Sequence, residues 1–383
     1  MKPLVIASWL WRSRLLRYLV VAVSVIAVLS GVGYYLTHYY DPVRVVYKRL
    51  KAPNEYRFEE IHPYFYETDP AALIAIETEQ DAARVRAAAV DVIWGGEGLP
   101  LGKLPETVEE DIADERFAGL PNLARIDRLR IRMDNGVHSS AYHFHPAKAN
   151  GRLVLYHHGY AGSFHDARHV IARLVGEGYA VIALNFLGYG ENWGGGQFYL
   201  RRLGWYHMTV HRLLDLADRP MMYFIEPVVV TLNHAERRYD YEAVDMVGFS
   251  AGGWTSMLAA AVDPRIRRSY PVAGGYPIYL RSGYERNQSA PPQYYGPLLQ
   301  AMNYLEAFVL GASGEGRRQL QVFNRFDRCC FRNTLARLYE PAVSAAVERL
   351  GAGSFEVLID ETHADHKISD FALDAIMRDL AGP

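Results

Sequence analysis

Residues 243–258 read AVDMVGFSAGGWTSML, and the fold turns on how they are read. AVDMVGF (243–249) is an apolar run without strict alternation, the pattern of a strand buried on both faces of a parallel sheet. WTSMLAAAV (254–262), which follows, is rich in helix formers. Between them, Gly248-Phe249-Ser250-Ala251-Gly252 fits the pattern G-x-S-x-G. A strand that turns at once into a helix leaves the serine backbone strained and its hydroxyl exposed above the sheet. Small residues two before and two after the serine let the two segments approach. Ser250 is therefore a candidate nucleophile, and the alternative is a tight glycine turn with an inert serine.

The pattern continues outward on both sides. IDRLRIRM (126–133), the turn DNG and HSSAYHFHP (138–146) read as an antiparallel hairpin. RLVLYHH (152–158), YAVIALNF (179–186) and QLQVFNRF (319–326) are further apolar runs. Helical stretches such as HDARHVIARLVGEG and EPVVVTLNHAERRY lie between them. Strand and helix in alternation predict an α/β fold with a mostly parallel central sheet and helices on both faces.

The elbow in this setting resembles the serine hydrolases of the α/β-hydrolase superfamily, over residues 126–383. The resemblance implies a catalytic order of serine, acid, histidine. The acid is expected after the strand QLQVFNRF, at Asp327. The histidine is expected after the last strand, SFEVLIDET, in HADHKIS. His366 lies just before the final helical run, where the family's histidine falls, and His363 is the competitor. A neutral imidazole would take the serine proton, and the carboxylate would fix its tautomer and stabilise its charged form. The family's H-G-x-x-G-like loop matches His158-Gly159-Tyr160-Ala161-Gly162. The backbone N–H groups of Tyr160 and Ala251 are the expected oxyanion hole. His157 and His158 are expected to orient that loop. The resemblance calls for no cofactor and no metal.

Other motifs fail. His165 and His169 are four apart, but Asp-Ala-Arg between them lacks the glutamate of a zinc protease. Gly188-Tyr189-Gly190 has Trp193 where a dinucleotide loop needs glycine. Gly102-Lys103 lacks the remainder of a phosphate loop. Two stretches exceed what the sheet needs, 191–225 and 277–316, and long insertions at a catalytic face act as lids or binding loops. The tyrosines at 276, 279, 284, 294, 295 and 304 either line a pocket or pack the insert.

The amino-terminal segment differs from the rest. Tyr18 to Thr37, YLVVAVSVIAVLSGVGYYLT, carries no charge. Twenty such residues would span about 30 Å, a bilayer core. Arg12, Arg14 and Arg17 precede it, and Tyr34, Tyr35, Tyr39 and Tyr40 close it as an interfacial belt would. A cleaved signal peptide and a buried helix are the alternatives. Basic residues balance across the span, and Asp41 tips the reading towards a cytoplasmic amino terminus with the catalytic part outside. The expected organisation is an anchor segment (1–41), a helical and irregular pre-domain (42–125) and the hydrolase domain (126–383).

Composition bounds the function. The chain has 383 residues, half of them hydrophobic, and 41 Lys+Arg against 43 Asp+Glu. That near-neutral balance argues against a nucleic-acid partner. Cys329 and Cys330, the two cysteines, are adjacent and are expected to be buried thiols. The expectation is a membrane-anchored serine hydrolase acting on a carboxylic ester, lipid-like or small. Acyl transfer, peptide cleavage and a non-catalytic binding module are the alternatives.

Overall fold

A computed structural model describes residues 14–38, 40, 43, 46–47, 50–51, 56–57, 59–160, 162–192, 197–207, 211–281 and 291–382. Among the described residues helix α1, Arg14–His38, comes first. Its 22-residue stretch Leu16–Thr37 has a mean hydropathy of 2.2 in its most apolar window, none of it buried. Its length and composition satisfy a membrane span and equally a signal sequence.

Helix α2, Glu79–Trp94, starts at a capping box between Thr78 and Asp81 and stops at Gly95, whose φ is 69°. It buries Val85, Ala89 and Ile93 in the same apolar cluster as Trp254 and Leu258. Strands β1 (Thr107–Glu109), β2 (Leu123–Arg132) and β3 (His138–Pro146) pair antiparallel. Then come β4 (Arg152–His157), α3 (Arg168–Gly176) and β5 (Ala180–Leu184). Strands β6 (Gln197–Leu200) and β7 (Gly204–His207) form a separate hairpin. Helix α4 (Met222–Arg238) leads to β8 (Ala243–Phe249), α5 (Ala251–Val262) and β9 (Ile266–Val272). The remainder runs α6 (Gly296–Ala301), α7 (Tyr304–Ala312), β10 (Arg318–Asn324), α8 (Glu340–Arg349), β11 (Ser354–Asp360) and α9 (Asp370–Ala381).

The main sheet has nine strands in the order β1-β2-β3-β5-β4-β8-β9-β10-β11. From β5 to β11 every neighbouring pair is parallel. Apolar residues cover both faces, so β4, β5 and β8 read as nearly continuous apolar runs. Leu153 and Leu155 of β4 join the cluster formed with α4, α5 and α7. Val154 and Tyr156 join the opposite cluster, with α3 and α9. Every residue of α5 is buried, which its alanines and glycines permit by letting it lie close to the sheet. Truncating Met257 or Phe308 to alanine in this interior would cost about 2–5 kcal/mol.

Within 277–316, α7 is buried throughout and acts as the crossover helix between β9 and β10. Tyr276 and Tyr304 likewise pack the core, donating to the Arg332 and Gln293 carbonyls at 3.0 Å each. Tyr284 lies outside the described residues.

Candidate active site

Ser250 sits between β8 and α5 with φ 57° and ψ −124°. Such a backbone costs a non-glycine residue about 1–3 kcal/mol. Its surroundings hold it there. Its N–H donates to the Val272 carbonyl at 2.8 Å, and its own carbonyl accepts from Trp254 N–H at 3.1 Å. The flanking glycines are needed for space. A Cβ on Gly248 would collide with the Gly252 carbonyl, and one on Gly252 with the His157 carbonyl.

The partner residues come from the far edge of the sheet. Strands β10 and β11 pair in register with Asn324 opposite Asp360. The loops that follow them therefore leave side by side, joined by Arg325 N–H to the Asp360 carbonyl and Arg328 N–H to the Ala364 carbonyl. Asp327 lies on the first loop and His366 on the second. His366 Nδ1 is 2.7 Å from Asp327 Oδ2, and its Nε2 is 2.9 Å from Ser250 Oγ. Asp327 is buried, and its Oδ1 accepts the N–H groups of Cys329 and Cys330 at 2.7 and 3.1 Å. One carboxylate oxygen thus fixes the turn while the other faces the imidazole. The Phe249 ring packs on the His366 ring with centroids 4.7 Å apart.

His363 stands elsewhere. It is buried, with Nε2 3.1 Å from Asp360 Oδ2 and Nδ1 3.1 Å from Asn324 Nδ2. Asp360 also accepts from Thr362 N–H and Oγ–H and from Ser369 Oγ–H. Burial alone would raise the Asp360 carboxyl, but the hydrogen bond and charge of His363, with Ser369 and Thr362, hold it below the usual carboxylate range. Asp360 is thus the fastening of the loop that carries His366. Its place at the end of a strand, three residues before a histidine, does not single it out in the sequence.

On the other side of Ser250 runs the loop after β4. A Cβ on Gly159 would lie 2.8 Å from Ser250 Cβ and 2.9 Å from Ala251 N, so this loop passes directly over the elbow. Ala251 is the first residue of α5, and its N–H has no acceptor within the helix. The Tyr160 ring packs between Phe186, Tyr189 and His211, with centroids 4.9–5.1 Å away, and its hydroxyl meets His211 Nδ1. Ala161 lies outside the described residues. His157 Nδ1 is 2.9 Å from the His158 carbonyl, and His158 Nδ1 is 2.9 Å from the Tyr156 hydroxyl. Burial pushes both imidazoles down to about 4, so they stay neutral at neutral pH and tie the loop to β4.

The cysteine expectation needs correction. Cys329 and Cys330 are not buried thiols. Their sulfurs are joined in a disulfide, with Cys329 exposed and Cys330 half-buried. The turn that serves Asp327 brings the two side chains together. The histidines of the failed zinc motif have ordinary partners: His165 Nδ1 lies 2.6 Å from Ser163 Oγ, and His169 Nε2 lies 3.2 Å from the Ile368 carbonyl.

No protein-family model and no curated protein matches this chain. Solved structures do. A methylesterase, BT1017, superposes with a TM-score of 0.58 at 15% identity, over 78% of this chain and 62% of its own. The chain thus spans less than two thirds of that protein. Acetyl xylan esterase 1 from Thermoanaerobacterium sp. JW/SL YS485 superposes with a TM-score of 0.54 at 16% identity, over 85% of this chain and all of its own. The chain has the α/β-hydrolase fold. In that fold the elbow after β8 and the loops after β4, β10 and β11 all open at the carboxyl ends of the parallel strands, where Ser250, Asp327 and His366 converge.

Proposed function

We propose that this chain is a serine hydrolase that cleaves a carboxylic ester through an acyl-enzyme on Ser250. The observation that carries the reading is the unbroken line Ser250 Oγ–His366–Asp327, at 2.9 and 2.7 Å. His366 Nε2 takes the serine proton as Oγ attacks the ester carbonyl. Asp327 holds the Nδ1 tautomer and offsets the imidazolium charge. The N–H groups of Ala251 and Tyr160 receive the developing oxyanion. His366 then protonates the leaving alcohol, water takes its place, and the same steps in reverse release the acid.

Residues 18–37 within the segment 1–41 serve as a membrane anchor, with the amino terminus cytoplasmic and the catalytic domain outside. The composition of Leu16–Thr37, and the absence of buried residues in its most apolar window, support this reading. Residues 42–125 brace the hydrolase domain, 126–383.

A soluble acetyl ester and a methyl ester are suitable first probes. Ser250→Ala should lower kcat by several orders of magnitude while the circular dichroism spectrum stays the same. A folded Ser250→Ala protein that turns over either ester at the wild-type rate would contradict the assignment.

A further inference from the structure

We propose that Cys329 and Cys330 form a redox-gated site for a thiophilic divalent cation of the zinc or cadmium kind, with His366 as the third ligand, and that the bound cation stops ester cleavage. The claim about cleavage rests on the proposed role of His366; the claim about binding does not.

Three observations meet here. Ligand atoms of Cys329, Cys330 and His366 all lie within 4.8 Å of one another. The backbone beneath them is fixed, because Asp327 Oδ1 holds both cysteine N–H groups at 2.7 and 3.1 Å. The pair lies at the surface, Cys329 being exposed and Cys330 half-buried. Two thiolates and an imidazole are the donor set that selects zinc-like ions, with a fourth position left for water. A tetrahedral ion with ordinary bond lengths holds such donors about 3.5–3.8 Å apart. Opening the sulfur–sulfur bond frees the two sulfurs to separate to that spacing.

As a disulfide the pair cannot bind in this way. A dithiol reductant delivers two electrons and two protons, its own sulfurs closing into a disulfide while Cys329 and Cys330 become thiols. The cation then replaces both thiol protons, which pass to solvent, and forms two metal–sulfur bonds and one bond to an imidazole nitrogen. Either nitrogen is already engaged, Nδ1 with Asp327 and Nε2 with Ser250. Cation binding and the proton relay therefore exclude each other.

A second cluster, Asp127, His143 and His145, also brings three metal-type ligands together. It is filled differently. Asp127 accepts Asp111 N–H at 3.0 Å, His145 Nε2 lies 2.8 Å away, and the Arg125 guanidinium reaches both oxygens. A cation there would face that guanidinium.

The test uses the full chain in detergent, reduced with dithiothreitol and desalted without oxygen, against the untreated disulfide form. Cadmium ion alone is titrated in, and the thiolate-to-cadmium charge-transfer absorbance is read. The chain has two cysteines, so this band reports only this pair. The reduced form should take up one cadmium per chain and the disulfide form none. Cys329→Ser with Cys330→Ser should abolish the band, His366→Ala should weaken binding at least tenfold, and Ser250→Ala should leave it unchanged. Ester turnover should fall in proportion to bound cadmium and return with a chelator. A folded, reduced protein with no cadmium band would overturn the site. A band with undiminished turnover would overturn the ligation by His366. If the hydrolase reading itself failed, turnover would be absent in every state while the titration still gave its answer.

Discussion

His366 and His363 are three residues apart and have unlike partners, so substituting each separates the proposed catalysis from support. His366→Ala removes the group 2.9 Å from Ser250 Oγ, and its loss of kcat should match that of Ser250→Ala. The double variant should be barely worse, because such groups act as a unit. His363→Ala removes one buried partner each from Asp360 and Asn324, so it should lower stability by roughly 1–3 kcal/mol, read by urea unfolding. Its kcat should fall far less than that of His366→Ala, and equal losses would mean that the two roles are wrongly divided. Gly252→Ala drives a methyl group into the His157 carbonyl and should cost on the order of 3 kcal/mol or prevent folding. At this scale much was legible in the sequence. Ser250, Asp327 and His366 are picked out by the resemblance to the α/β-hydrolases, whose histidine falls just before the final helical run, and the structure brings the three side chains together. The use of Asp360 as a fastening was not legible, because a strand-end aspartate has many possible partners. The disulfide of Cys329 and Cys330 is not legible in the sequence, because neighbouring cysteines rarely reach disulfide geometry.

Strand β4 carries a pH dependence in its last turn of chain. His157 and the adjoining His158 have folded pKa values pushed down to about 4 by burial, against an unfolded value of about 6.5. As pH falls below about 6.5 the unfolded chain takes up protons first. The stability these groups confer is therefore complete above about 6.5 and drains away as pH falls towards about 4, by up to about 3 kcal/mol for each. Urea midpoints measured between pH 7 and 4 should fall accordingly, and more gently in His157→Gln. A flat profile would mean that these imidazoles are hydrated. Elements with unbroken apolar runs were legible, β8 being the clearest, because burial on both faces leaves no polar alternation. Strand β9 was harder to read. Its Arg267 and Arg268 interrupt the apolar pattern, yet Arg268 is buried, with its N–H on Asp245 Oδ1 and its guanidinium reaching the Asp379 carbonyl. Helix α7 was masked in a similar way, since a crossover helix amid glycine and proline reads as part of an insertion.

For the whole molecule, the relation between the amino-terminal segments and the catalytic part is open to direct measurement. Deleting residues 1–41 should give a protein that stays in solution without detergent and keeps its activity on soluble esters. None of Leu16–Thr37's most apolar window is buried. Deleting residues 1–104 should unfold the chain, because it strips Val85, Ala89 and Ile93 from the main core and removes the Arg86 bond to the Ala261 carbonyl at 2.8 Å. Sedimentation, circular dichroism and turnover of both truncations check the pair. The central claim is that Ser250 is a nucleophile activated by its neighbours, and covalent labelling tests it most directly. The full chain is treated with a fluorophosphonate, digested, and the adduct located by mass spectrometry. One adduct per chain on Ser250, lost in Ser250→Ala and suppressed in His366→Ala, is the predicted result. A folded protein that takes no label, or takes it equally well in Ser250→Ala, would contradict the account.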